Sequence, residues 1–210
     1  MRKITVTEAL KELKLYDDKI YKAIGRAEFV GAAKKNSELI GHKKKSTYEN
    51  DAKSSFDSIT AMIDNRDALK SAIVNSNAIT KVEIGGITMT VAAAIEKKSS
   101  IEYDKRFLYA MKEQFDSAVS TVARENAKVD AQCDRLIETQ LSGDNKTKID
   151  KVDIEAFTAP YRKQREFAIV DPLDIEKKIA ELESRIDAFE AEVDTKLNVS
   201  NALTTIEIDF

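Results

Sequence analysis

The chain has 210 residues, 42% hydrophobic and 34% charged, with 34 Lys and Arg against 37 Asp and Glu for a net charge of −3. This is enough apolar material for a core without disulfides or metals, and 6 Gly with 2 Pro favour long helices over a loop-rich β-fold. A single Cys excludes an intramolecular disulfide and Cys-cluster zinc sites, and a single His excludes multi-histidine metal sites and most triad chemistry.

The chain opens with Met1-Arg2-Lys3 and no apolar run follows, so it reads as soluble and unexported. Lys3 to Val6 reads as a short strand. Thr5 with Glu8 forms a capping box, and Ala9, Leu10, Leu13, Tyr16, Ile20, Ala23, Ile24 and Ala27 make one apolar stripe, predicting a first helix to about Glu28. Phe29 to Asp51 is less regular and carries the basic run His42 to Lys45, with Lys34 and Lys35 nearby. Glu38, Glu49 and Asp51 interrupt that run and no aromatic platform accompanies it, so it reads as a solvated loop rather than a phosphate or nucleic-acid contact.

A second helix is predicted from about Ala52 to Ser76, with Phe56, Ile59, Ile63, Leu69 and Ile73 inward. Val82, Ile84, Ile87 and Met89 around Gly85-Gly86 then spell a β-hairpin, because paired glycines supply the positive φ values of a primed turn. The third helix begins after Thr90 and repeats every seven residues at Ile101, Leu108, Phe115, Val122, Val129 and Leu136, until Gly143-Asp144 ends it. Asp144 to Val170 is less regular. Asp171 as cap and Pro172 in the first turn start the fourth helix, which places Ile175, Ile179, Leu182, Ile186, Phe189, Val193 and Leu197 at coiled-coil spacing. Thr205 to Phe210 is a last strand.

An internal repeat connects these parts. Ser76-Asn77-Ala78-Ile79-Thr80-Lys81-Val82-Glu83-Ile84 recurs as Ser200-Asn201-Ala202-Leu203-Thr204-Thr205-Ile206-Glu207-Ile208, with six of nine positions identical. Ile87-Thr88-Met89-Thr90 likewise echoes Ile4-Thr5-Val6-Thr7. Each copy reads as helix end, turn, strand, turn, strand and helix start, with Asn77 and Asn201 as left-handed helix closers. In the second copy the hairpin is open, its strands at opposite ends of the chain. The pseudo-symmetry predicts that these strands pair with each other and join the closed hairpin in a four-stranded antiparallel sheet; pairing with a neighbouring subunit is the alternative.

The fold expected is therefore mainly α: one elongated antiparallel helical bundle or coiled coil, with a small antiparallel β-sheet at one end formed by hairpin 82–89 and the two terminal strands. Residues 1–28, 52–140 and 171–210 form the body and β cap, and 29–51 and 144–170 form distal tip segments.

Candidate chemistry is sparse. His42 lacks a second ligand and reads as a surface histidine, while Cys133 falls on the heptad face as a buried thiol. Asp17-Asp18 and Asp150 to Asp153 lack the Asp-x-Asp-x-Asp-Gly pattern of a calcium loop, and Gly85-Gly86 precedes a strand rather than the helix N-terminus that cradles phosphate. No cofactor and no metal are expected. The residues singled out are those of the repeat, as structural or interaction positions: Ser76, Asn77, Thr80, Gly85, Gly86, Ser200, Asn201, Thr204, Ile206 and Ile208.

The order of parts over residues 66–97 and 171–208, about a third of the chain, resembles helical proteins of uncharacterised role encoded by tailed bacteriophages. In both, a helix leads into Asn-x-x-Thr, a Gly hairpin, Thr-x-Thr and a helix, and a terminal helix ends in Ser-Asn-Ala-x-Thr. A thinner similarity is to the septicolysin-like bacterial family. Phe29 to Asp51 has no counterpart in either, and neither supplies catalytic residues. The phage resemblance implies a non-enzymatic virion or assembly component, in the capsid, neck or tail. Its partners would be other structural subunits, including copies of itself, and it would reside in the virion or, before assembly, in the host cytoplasm. Neither a membrane nor nucleic acid is an expected partner. The alternative is a soluble homodimeric coiled-coil binding or regulatory module, and a hydrolase using surface carboxylates is a third reading.

Overall fold

The computed structural model describes residues 1–141 and 151–210, with side chains described outside 140–154. The order is β1 (Arg2–Thr5), α1 (Val6–Arg26), β2 (Leu39–Ile40), β3 (Lys43–Lys44), α2 (Lys45–Ile79), β4 (Lys81–Ile84), β5 (Ile87–Thr90), α3 (Val91–Leu141), α4 (Lys151–Arg165), α5 (Ile175–Leu203) and β6 (Thr205–Ile208). The protein is mainly helical with small antiparallel sheets. It divides into two compact units, Met1–Ser100 with Ala188–Phe210, and Ile101–Asp187, so α3 and α5 each contribute to both.

In the first unit β1 pairs antiparallel with β6, with Ile4 opposite Ile206 and Arg2 opposite Ile208. In β4–β5, Val82 stands opposite Met89 and Ile84 opposite Ile87. The expected four-stranded sheet does not form: the strands make separate two-stranded ladders, and β2–β3 is a third. Packing explains the separation. The inward side chains of β1–β6 join Val6, Ala9 and Leu13 of α1 and Leu69 and Ile73 of α2 in one buried cluster. The turn of β4–β5 instead lies on α5, where the Gly85 amide donates to Glu192 Oε2 at 2.9 Å. Each ladder spends its one apolar face on a helix and has none left for the other ladder.

The helix ends differ from the sequence reading in ways that have local causes. α1 starts at the predicted capping box, where the Glu8 amide donates to Thr5 Oγ1 at 3.2 Å and the Thr5 amide to Glu8 Oε2 at 2.8 Å. α2 starts at Lys45, seven residues before Ala52, because β3 leads straight into it without a side-chain cap. Its buried face runs through Tyr48, Ile59, Leu69, Ile73 and Ser76, while Phe56 and Ile63 are exposed on its flank. Leu10 and Ile24, placed on the inward stripe of α1, are exposed too. α2 and α5 run on to Ile79 and Leu203, so Asn77 and Asn201 are helical residues and not left-handed closers.

In the second unit the heptad positions Ile101 and Val129 of α3 are buried and Leu108, Phe115, Val122 and Leu136 half-buried, with Met111 and Cys133 buried as well. The stop signal Gly143-Asp144 lies outside the described residues. Part of the segment taken as irregular is α4, which contains Pro160. The chain then continues from Glu166 without regular secondary structure, pinned by Asn126: its Nδ2 donates to the Phe167 carbonyl at 3.0 Å and its Oδ1 accepts from the Phe167 amide at 2.8 Å. Asp171 caps α5 from further away than predicted, accepting from the Leu173 and Ile175 amides at 3.0 and 2.7 Å across Asp174, whose φ is 55°.

Candidate functional site

The repeat residues gather at two corners of the first unit. In one, the Thr80 amide donates to the Ser76 carbonyl at 2.9 Å as α2 ends, and the Thr80 carbonyl accepts from the Val91 amide at 2.8 Å as α3 begins. In the other, the Thr204 amide donates to the Ser200 carbonyl at 2.8 Å, and the Thr204 carbonyl accepts from the Val6 amide at 2.9 Å. Each threonine therefore closes one helix and anchors the start of the next, with a β-ladder between them. This pairing fixes the equivalence as Thr80 with Thr204 and Val91 with Val6, so Met89-Thr90-Val91 corresponds to Ile4-Thr5-Val6. The echo of Ile87-Thr88-Met89-Thr90 with Ile4-Thr5-Val6-Thr7 is out of register by two residues.

The correspondence extends to packing. Val91 and Val6 are both buried, as are Ala94 and Ala9, Val82 and Ile206, and Ile84 and Ile208. Thr90 Oγ1 accepts from the Ala93 amide at 3.1 Å, which is the cap of Thr5 without its glutamate partner. That partner matters electrostatically: hydrogen bonds from the Thr5 backbone and hydroxyl hold the Glu8 carboxyl below its ordinary pKa. Gly85 and Gly86 have φ of 57° and 75°, the primed turn that the sequence predicted. At the equivalent point of the other ladder the chain ends meet, the Met1 ammonium 3.7 Å from Asp209 Oδ1, and the Phe210 ring stands edge-on to Tyr16 with centroids 6.3 Å apart.

The corners also repeat something folding does not require. Ile79 and Leu203, each just before its anchoring threonine, are 79% and 77% exposed. Ile95 and Leu10, each one helical turn beyond the anchoring amide, are 47% and 40% exposed. The repeat residues singled out from the sequence, Ser76, Asn77, Thr80, Gly85, Gly86, Ser200, Asn201, Thr204, Ile206 and Ile208, do not include these four. The Ile/Leu between Ala and Thr in both copies was the available signal.

The remaining candidates are dispersed. His42 is exposed beside Gly41 in the β2–β3 turn, and Lys43 of the same basic run pairs with Asp51 at 3.0 Å, which raises the lysine pKa. Cys133 is buried. Asp17 pairs with Arg66 at 2.9 Å, and the side chains of Asp150 to Asp153 lie outside those described. Among the described residues no group of three His, Cys, Asp or Glu side chains is placed to hold a metal, and no helix is long and apolar enough to cross a membrane. In the second unit a cleft of about 690 Å³ between α3 and the end of α4 with the residues that follow it is lined by Lys128, Gln132, Tyr161 and Arg165, whose guanidinium sits 5.1 Å from the Tyr161 ring. The arrangement offers hydrogen bonds and a cation, but the Tyr161 ring face is already taken.

Compared with known proteins, the chain matches no family model, no curated protein and no solved structure.

Proposed function

We propose that the protein is a non-enzymatic structural protein that works through protein–protein contacts as a component of a tailed-bacteriophage particle, reaching the virion from the host cytoplasm. The observation that carries this reading is the exposed apolar pair at both corners, Ile79 with Ile95 and Leu203 with Leu10. Exposing an aliphatic side chain forgoes roughly 1.5–3 kcal/mol of burial, and repeating that cost at equivalent positions supports a contact role for both corners. The order of parts that resembles phage helical proteins supplies the setting.

The coiled-coil dimer reading has less support, because the heptad residues it would use are engaged within the chain: Ile101, Val129, Leu182 and Ile186 are buried already. The experiment is quantitative mass spectrometry on purified particles produced by the genome that encodes the chain. A fixed copy number per particle is expected. Absence from particles in cells that express the chain would overturn the reading.

A further inference from the structure

The segment between α1 and α2 carries an apolar run that its own unit leaves uncovered, at the far end of α1 from Leu10. Leu10 and Arg26 stand sixteen residues apart on that helix, about 24 Å at the standard rise. Phe29-Val30-Gly31-Ala32-Ala33 follows, outside any helix or strand and exposed at every residue, with Phe29 at 48% and Val30 at 89%. Its underside is seated. A Cβ on Gly31 would stand 3.0 Å from Tyr48 Oη and 3.6 Å from Ile40 Cδ1, so the loop backbone rests on buried Tyr48 and on β2. The chain turns after the run, where the Ser37 amide donates to the Lys34 carbonyl at 2.9 Å, and the Lys45 amide donates to the Glu38 carbonyl at 2.8 Å. These contacts set Lys34, Lys35 and the β2–β3 hairpin beside the apolar run.

The charge around the run has one sign in excess. Lys43 is committed to Asp51. Over residues 26–53 the cations without an ion pair among the described residues are Arg26, Lys34, Lys35, Lys44, Lys45 and Lys53, against Glu28, Glu38 and Glu49. Adding Lys19 and Lys22 from α1 and Asp57 from α2 widens the excess, in a chain whose net charge is −3. From this we infer that residues 26–45 form a peripheral docking surface for an anionic lipid bilayer. Phe29 and Val30 enter at headgroup depth, where water still reaches the loop backbone, while the lysines meet the lipid phosphates. A nucleic acid would draw on the cations and leave Val30 uncovered, whereas the bilayer uses both. The expectation of no membrane partner rests on the lack of a spanning segment, and a surface that lies on one face of a bilayer needs none. None of its residues belongs to the two corners, so it stands or falls apart from the assembly reading.

Flotation of the full chain with lipid vesicles tests this. The chain is expected to float with vesicles of equal parts phosphatidylcholine and phosphatidylglycerol, to stay at the bottom of the gradient with phosphatidylcholine alone, and to be released as salt rises. Val30→Asp is expected to weaken binding about tenfold with helical content and urea midpoint unchanged, since Val30 is exposed and lies in no helix or strand. Lys34→Glu with Lys35→Glu is expected to weaken it about thirtyfold. Val170→Asp, at a valine 91% exposed beside Asp171, is expected to leave binding at the wild-type level. No flotation with the mixed vesicles overturns the inference, as does equal flotation with both kinds, or a Val30→Asp variant that floats as wild type does. Salt-sensitive binding of duplex DNA by a chain that ignores the mixed vesicles would overturn it too, and would assign the cations to nucleic acid.

Discussion

The β4–β5 hairpin and the β1–β6 ladder share register, inward face and anchoring threonine, yet one is closed by Gly85-Gly86 and the other by nearly the whole length of the chain. The difference is entropic. A two-residue turn brings its strands together cheaply, whereas joining Thr5 to Thr205 closes a loop whose cost grows with the logarithm of its length. The distant ladder is accordingly tied to α1 and α2 by its buried cluster, whose members include Ile4, Ile206, Leu69 and Ile73. One geometry is thus held by local backbone conformation in one place and by side-chain burial in the other.

Removing residues 205–210 attacks the ladder that has no turn and should have the largest effect. Loss of buried Ile206 and Ile208 forfeits about 3–6 kcal/mol at the usual value of an aliphatic side chain, and urea unfolding should show most of the stability gone, with aggregation through the freed edge of β1. Next come Ile84→Ala and Ile208→Ala at equivalent positions. Each should cost about 2–5 kcal/mol, and a difference beyond about 1 kcal/mol between them would break the equivalence of the two faces.

Turn chemistry separates the ladders more finely. Gly85→Ala forces a side chain into a left-handed conformation with its Cβ 3.3 Å from the Ala188 Cβ, and should lower stability by about 1–2 kcal/mol in urea titration. Asp209→Ala, at the matching point where the chain ends meet, should change it by less than about 0.5 kcal/mol. The smallest effects concern the caps. Thr5→Ala should cost about 1 kcal/mol and Thr90→Ala somewhat less, since only Thr5 belongs to a reciprocal box. Because the Glu8 carboxyl is held below its ordinary pKa, its contribution is present above that ordinary value and is lost as pH falls through the depressed one. Glu8→Gln should flatten that acid limb of the urea midpoint against pH.

Much of this was legible in the sequence because short-range rules govern it. Gly85-Gly86 demanded a primed turn, Thr5 with Glu8 demanded a helix start, and the duplicated Ser-Asn-Ala-x-Thr string placed β6 opposite β1. What escaped detection depended on tertiary contacts or lacked a local signal. α4 carries Pro160 within it, which reads as a breaker. α2 begins without a cap, so its first turn looked like loop, and Tyr48 was not recognised as core. The exposure of Phe56 and Leu10 turns on which flank of a helix meets its neighbour, a choice that apolar spacing alone leaves open. For the candidate site, the repeat pointed to its shared Ser, Asn and Thr and to Ile206 and Ile208, whereas Ile79 and Leu203 differ between the copies and their exposure is set by tertiary packing.

If the two ladders are interchangeable solutions to one corner, either of them can be the one that carries the chain ends. Circular permutation tests it most directly: join Phe210 to Met1 through a short Gly-containing linker and reopen the chain between Gly85 and Gly86, so that the closed hairpin becomes the open ladder and the open ladder the closed one. The ends to be joined already approach within 3.7 Å through Met1 and Asp209. A folded permutant is expected, with wild-type helical content by circular dichroism and a cooperative urea transition. A permutant that stays unfolded, while the linker-closed chain opened instead in the Lys34-Lys35 loop folds normally, would contradict it.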